Sequence, residues 1–384
     1  MSQKSLCIIF EATGRFNAIG KIAMAEAQAA LAAGWRVSIV AKRLDESLQG
    51  RVEWLRLYAP PRGFALQWLT ARHFIRQALG DRSRFDVVHG HQPQIADLCD
   101  VFECHFLTRA AFERRCLLDS HGWRRPLEWA QKRAVLVAED RHFHHWNPAT
   151  HMLFSSALTR DWFAGYYGMP PSQELLVCPS PRWNPVSPQE RLAARAALGL
   201  PQNGIVAGFL GGLHERKGYR RVIAALAGQA DITLLMGGAF SEGFAAPELE
   251  GRLRAIGLTD NTAMFYAACD VLLVASYFEP FGCVASEAAS RGVPTISTDQ
   301  VGALPHLLEH RAGARWDGRE SLGQIIRQIH AAADDFRLGC QRYTQALSPE
   351  VHNRRLLALY DQIAASRAPA RQGVSESLAV GSAS

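Results

Sequence analysis

Residues 270–302 read DVLLVASYFEPFGCVASEAASRGVPTISTDQVG, and this stretch decides the fold. The apolar run ending at Ala275 is a buried strand, and a loop with two aromatics, a proline and a glycine follows it. A helix of small residues opens at about Gly282 and runs to Arg291, and Pro294 to Ser297 forms the next strand. Strand, helix and strand in that order form a crossover unit of a parallel sheet. The helix start presents free N–H groups from about Phe281 to Val284, a place for a phosphate oxygen, and Gly282 permits close approach of a ligand.

Working outward, the same alternation extends in both directions. Upstream lie helix Pro188 to Leu198, strand Ile205 to Leu210, a helix from Lys217, strand Ile232 to Met236 and a helix from Pro247 to Arg254. Four prolines between Cys178 and Pro188 deny backbone donors and mark an interdomain linker. Before it comes a second α/β series: strands Leu6 to Phe10, Arg36 to Ala41, Val52 to Leu57, Phe85 to His89, Val101 to Cys104, Met152 to Phe154 and Glu174 to Val177. Its helices are expected at Ile22 to Ala33, Ala65 to Leu79, about Thr108 to Asp140, and Thr159 to Tyr167. The fold class is therefore α/β: two Rossmann-like, doubly wound parallel-sheet domains facing a central cleft, where ligands of such sheets bind. The expected divisions are residues 1–180, 181–345, a helix at 346–365 packing back on the first domain, and a disordered tail over 366–384. Helices at about 319–335 and 350–364 complete the second half.

Glu279 and Glu287 bracket the helix start. Carboxylates beside an anion site suit a phosphate ester of sugars, because each accepts hydrogen bonds from hydroxyl pairs. The pattern reads as nucleotide-sugar recognition. After strand Ile205 to Leu210 the chain reads G-G-L-H-E-R-K-G, residues 211–218, which places Arg216 and Lys217 as cations facing the cleft. Two such charges neutralise a diphosphate leaving group. Lys217 is one of only five lysines beside 37 arginines.

Other chemistries find no support. There is no G-x-G-x-x-G in the first strand–helix turn, no G-x-x-x-x-G-K-[ST], no G-x-S-x-G and no H-E-x-x-H. No D-x-D occurs, so no essential metal is expected, and His142, His144 and His145 read as surface or interface residues without a fourth ligand. The net charge of +6 is mild and gives no nucleic-acid tail; the first 180 residues carry +5 of it. No apolar window long enough for a membrane span and no leader pattern occur. The eight cysteines form no C-x-x-C pair, which suits a reducing cytoplasm.

S-Y-F-E-P-F-G-C-V-A-S-E-A-A-S-R-G-V-P resembles the signature of retaining glycosyltransferases of the family 4 type (glycosyltransferases group 1), which have the GT-B fold. NTAMFYAACDVLLVAS and GFLGGLHERKGYRRVIAAL extend the resemblance over most of residues 204–302, and GKIAMAEAQAALAAGWRVSIVAKR and FDVVHGHQP extend it more loosely into the first half. The resemblance implies that Glu287 holds the ribose hydroxyls of the donor and that Glu279 faces the transferred sugar. It implies that the backbone at Phe281, Gly282 and Cys283 cradles the distal phosphate and sugar. His105, in V-F-E-C-H-F, matches the family's histidine near the donor sugar, and Gly20 matches its first glycine-rich loop. His89 and His91 stand at the same edge. Where the family usually has an arginine after the first glycine of the 211–218 loop, this chain has Gly212. Either Arg216 supplies that charge or the site has lost activity.

These readings combine into an expectation: a retaining, metal-independent hexosyltransferase, without cofactor, that uses a nucleoside-diphosphate sugar and a glycan or lipid-linked acceptor. The expected pathway is bacterial lipopolysaccharide or exopolysaccharide assembly at the inner face of the cell membrane. Arg114, Arg115, Arg124, Arg125, Lys132 and Arg133, beside Trp123 and Trp129, offer a contact to anionic lipid headgroups or a phosphorylated glycan. The alternatives are an inactive nucleotide-sugar-binding protein of the same fold and a nucleotide-sugar epimerase.

Overall fold

The computed structural model describes residues 3–11, 18–58, 64–114, 125–239 and 241–381. The first half holds strands β1 (Ser5–Ile9), β2 (Arg36–Ala41), β3 (Glu53–Arg56), β4 (Val87–Gly90), β5 (Val101–Cys104), β6 (His151–Phe154) and β7 (Gln173–Leu175). Its helices are α1 (Ala18–Ala32), α2 (Phe64–Leu79), α3 (Thr108–Glu113), α4 (Arg125–His144) and α5 (Ala157–Tyr167). The second half holds β8 (Ile205–Leu210), β9 (Ile232–Gly237), β10 (Leu253–Ala255), β11 (Val271–Val274), β12 (Thr295–Ser297) and β13 (Gly313–Arg315). Around it lie α6 (Pro188–Ala197), α7 (Tyr219–Leu226), α8 (Thr262–Ala268), α9 (Cys283–Ser290), α10 (Leu304–Glu309), α11 (Leu322–Ala331), α12 (Ala333–Ala346) and α13 (Pro349–Gly381).

Each half is one parallel sheet, in the orders β3-β2-β1-β4-β5-β6-β7 and β10-β9-β8-β11-β12-β13. This is the two-domain GT-B arrangement expected from the sequence. The strands are continuous apolar runs because both faces are covered by helices: neighbouring residues Leu6 and Cys7 of β1, and Val271 and Leu272 of β11, point to opposite faces and all are buried. The order reverses between β1 and β4 in one sheet and between β8 and β11 in the other, and ligands bind such sheets at the carboxyl ends beside that reversal.

The halves are joined twice. The proline-rich stretch is pinned to the second half: the Ser180 amide donates to the Leu347 carbonyl at 2.7 Å, and Asn184 and Val186 donate to the carbonyls of Ser290 and Arg291. Helix α13 returns to the first half, where Leu356, Leu359 and Tyr360 enter the core around β1 and α1. Among the described residues no helix is long and apolar enough to cross a membrane.

Three segments differ from the sequence reading. The helix expected from Pro247 to Arg254 is a single turn followed by edge strand β10, because Glu250 (φ +50) and Gly251 (φ +82) take left-handed conformations that stop a helix. The helix expected at 319–335 is two helices broken at Ala332. Helix α13 runs from Pro349 to Gly381. The expected helix at 108–140 appears as α3 and α4, with 115–124 outside the described residues.

Candidate active site

The loops after β8 and β11 meet at the reversal point of the second sheet. Gly218 (φ +73) lets them meet: a Cβ there would lie 2.0 Å from the Ala275 carbonyl oxygen. The Tyr277 amide donates to the Arg216 carbonyl at 2.8 Å. Arg221 donates to the carbonyls of Ala275 and Ser276 and stacks on the Tyr277 ring at 4.1 Å. These bonds fix where Arg216 and Lys217 project. The Lys217 ammonium hydrogen-bonds Glu279, the Arg216 guanidinium lies 3.8 Å from the same carboxylate, and the Ser276 hydroxyl donates to it at 3.4 Å. The trio carries a net charge of +1 and is only partly exposed, so its field is weakly screened.

Two aromatics set Glu279. Phe278 enters the first half and stacks on Trp162 at 4.9 Å, whereas Phe281 is buried in the second half. The intervening Pro280 carbonyl accepts from the Ser156 and Thr159 hydroxyls of the first half. The Glu279 amide donates to Gln300, and its carbonyl accepts from Gly302. The 276–282 loop is thus held by both halves. The buried side chain of Phe281 leaves only its backbone for a ligand.

Gly282 (φ +96) precedes the first turn of α9, and Cys283 and Glu287 follow on that helix. Glu287 accepts from the Tyr266 hydroxyl at 2.8 Å, which burial and the adjacent Glu287 charge push well above the usual tyrosine range. Cys283 and Glu287 line a cavity of about 190 Å³ with Lys21, Ile22, Cys178 and Pro179. The Cys178 and Cys283 sulfurs are 3.4 Å apart as free thiols.

A second cavity, about 310 Å³, lies in the first half against Ile19, His91, His105, Phe106, Lys132 and Glu139. Gly20, buried in the first turn of α1, separates residues lining the two cavities. The His105 Nε2 meets His91 Nδ1 at 2.9 Å; burial, then the neighbouring His91, holds His105 well below the usual imidazole range, so it is neutral. His89 instead is fully buried against Tyr360 of α13. Glu139 accepts from the Thr108 amide at 2.7 Å and from the Thr108 hydroxyl, and burial pushes it up to about 7.

The structure thus brings Lys217, Arg216 and Glu279 together, sets Glu287 and Cys283 on one cavity, and places His105 on the other. Gly212 sits under His214: a Cβ at 212 would meet the His214 ring at 2.9 Å. Of the basic cluster, Arg114 faces the junction between the halves, donating to Gln300 at 3.3 Å and stacking on Trp162, not an outer surface. Arg115, Trp123 and Arg124 lie outside the described residues, as does the Arg125 side chain. His144 and His145 bond carbonyls of their own helix. Sequence reasoning missed Tyr266, Arg221, Phe278 and the buried acids Glu26 and Glu103. The last two carried a signal: each is a lone charge inside an apolar run, A-E-A-Q-A-A and V-F-E-C.

Two family models match this chain: glycosyl transferase 4-like domain over residues 17–180 and glycosyl transferases group 1 over residues 190–332. The chain belongs to the group 1 glycosyltransferases. Curated relatives of this glycosyltransferase include D-inositol 3-phosphate glycosyltransferases. That of Mycobacterium sp. (strain KMS) is 27% identical over 268 residues, 64% of this chain and 58% of the relative. That of Mycobacterium tuberculosis (strain ATCC 25177 / H37Ra) is 29% identical over 253 residues, 60% and 50% of the two chains. The chain thus spans between half and three-fifths of these relatives' length. Similar solved structures include sucrose-phosphate synthase from Thermosynechococcus elongatus (TM-score 0.72, 19% identity, 95% of this chain and 100% of that one). WaaG, a glycosyltransferase involved in lipopolysaccharide biosynthesis, gives a TM-score of 0.69 at 16% identity, with 91% and 98% covered. Anabaena Alr3699/HepE, solved in complex with UDP-glucose, gives 0.68 at 17% identity, with 93% and 99% covered.

Proposed function

We propose that this glycosyltransferase moves a hexose from a nucleoside-diphosphate sugar to a glycan or lipid-linked acceptor, with retention of anomeric configuration, in bacterial surface-polysaccharide assembly. The observation that carries the reading is the Lys217–Glu279–Arg216 cluster at the reversal point, beside the α9 start and one turn from Glu287. Glu287 receives the ribose hydroxyls, with one carboxylate oxygen already held by Tyr266. Lys217, Arg216 and the amides from Gly282 onward receive the diphosphate, so the charge that develops as the sugar–phosphate bond breaks meets fixed cations and needs no metal on the donor. Glu279 accepts from hydroxyls of the transferred sugar. The acceptor hydroxyl enters from the first-half cavity past His105. Its oxygen bonds the anomeric carbon on the face the diphosphate leaves, and its proton passes to a departing phosphate oxygen.

The solved relative bound to UDP-glucose supports the donor class, and the relative involved in lipopolysaccharide biosynthesis supports the pathway. The +5 charge of the first 180 residues suits work at the anionic inner face of the membrane. The test is thermal stabilisation by UDP, GDP, ADP and their sugars, with Glu287→Ala and Lys217→Ala alongside. Stabilisation by one nucleotide series, weakened in both variants, supports the reading; equal stabilisation of both variants and the parent overturns the site.

A further inference from the structure

We propose a binding site for a first-row transition-metal dication, held by Glu26, His89, His91 and Glu103 in the first half. Glu26 comes from α1, His89 from β4, His91 from the turn after β4, and Glu103 from β5. All four are at most 4% exposed, and one donor atom from each lies within 4.8 Å of the others. Both oxygens of Glu26, both oxygens of Glu103, and the Nε2 atoms of His89 and His91 are buried without a hydrogen-bond partner among the described residues. Buried polar atoms that lack well-formed hydrogen bonds carry a desolvation cost that the fold leaves largely uncompensated.

His91 turns its Nε2 to Glu26, whereas the His89 nitrogen nearest Glu26 is Nδ1, 3.7 Å from Oε2. His89 Nδ1 is 2.6 Å from the Tyr360 hydroxyl, and His91 Nδ1 is 2.9 Å from His105 Nε2. His91 has the arrangement of a metal-bound histidine: one nitrogen toward the cluster, the other fixed by an outer partner. His91 Nε2 and Glu26 Oε2 stand 3.0 Å apart, the spacing of neighbouring ligands whose bonds to an ion are roughly 2.0–2.2 Å. Two carboxylates balance a dication, so the bound site is neutral in the core. An N₂O₂ donor set without sulfur suits zinc and ions of similar preference over the purely oxygen-seeking magnesium and calcium. The sequence alone did not bring the four together, because they come from three separate elements. Through His91 the ion would orient His105 at the cavity wall, and through His89 it would tie α13 to the first sheet.

The test uses the full chain stripped with a chelator and dialysed. Zn²⁺ is titrated in competition with a chromophoric chelator, and Co²⁺ is added separately to record its absorption spectrum. One equivalent of Zn²⁺ per chain, with a rise in melting temperature, is expected for the parent, and at least a tenfold loss of affinity in Glu26→Gln and Glu103→Gln. The Co²⁺ spectrum is expected to show nitrogen and oxygen ligation without a thiolate charge-transfer band. Less than one tight equivalent in the parent, or unchanged affinity in Glu103→Gln, overturns the site. A thiolate band overturns the ligand set by placing the ion on cysteine. The parent's spectrum decides the matter if either variant fails to fold.

Discussion

Glu139 offers a quantitative test of how the first-half cavity is built. Burial drives this carboxyl up while the Thr108 and Arg109 amides and the Thr108 hydroxyl draw it down, and burial wins, leaving it at about 7 against an ordinary 4.5. The folded protein therefore holds the proton more tightly than the unfolded chain does. For an acid raised on folding, the contribution is present below pH 4.5 and is lost as pH rises toward 7, because only the unfolded chain gains freely from ionising. With each pH unit of difference equivalent to about 1.4 kcal/mol, this one group removes about 2 kcal/mol of stability between pH 5 and 7.5. Glu139→Gln keeps the shape and cannot ionise. The difference in unfolding free energy between parent and variant, from urea titrations at half-unit steps of pH, cancels the titration of every other group. It should shift by about 2 kcal/mol in favour of the variant across that range and flatten above it. A constant difference would show that Glu139 is ionised throughout and that the hydrogen bonds outweigh burial.

Other perturbations probe the donor side. Lys217→Ala should lower kcat by about 10²–10³-fold with a smaller change in donor KM, as expected for a group that stabilises developing charge, measured by steady-state kinetics. Tyr266→Phe removes the hydrogen bond that orients Glu287 and should weaken nucleotide binding by about 3- to 10-fold in calorimetry, less than Glu287→Ala does. Gly218→Ala forces a Cβ into the Ala275 carbonyl on top of roughly 1–2 kcal/mol of left-handed strain, so the melting temperature should fall by at least about 5 °C.

The strand ladder was legible because buried parallel strands are written as short apolar runs: Arg36–Ala41, Val101–Cys104 and Ile205–Leu210 stand where the sequence reading put them. Element ends were less legible where backbone conformation depends on single residues, as at Glu250 and Gly251. Lys217 and Glu279 were legible as types beside a loop and a helix start, but their mutual hydrogen bond was not. That contact depends on Gly218 and Arg221 bringing two loops together that are 50 residues or more apart in the chain. The division of labour between Phe278 and Phe281 was invisible for the same reason: identical side chains three residues apart are buried in different halves of the molecule. Glu26, His89, His91 and Glu103 needed the fold of the first sheet before they stood together.

The most direct test of the proposed reaction is to incubate the purified chain with each common nucleoside-diphosphate sugar and follow the sugar by proton NMR, with water or an added glycan as acceptor. The account predicts that one donor is consumed, that free nucleoside diphosphate appears, that the first-formed product keeps the donor's anomeric configuration, and that Lys217→Ala suppresses all three. A donor that binds and is never consumed, a sugar altered while still attached to its nucleotide, or a product of inverted configuration would contradict it.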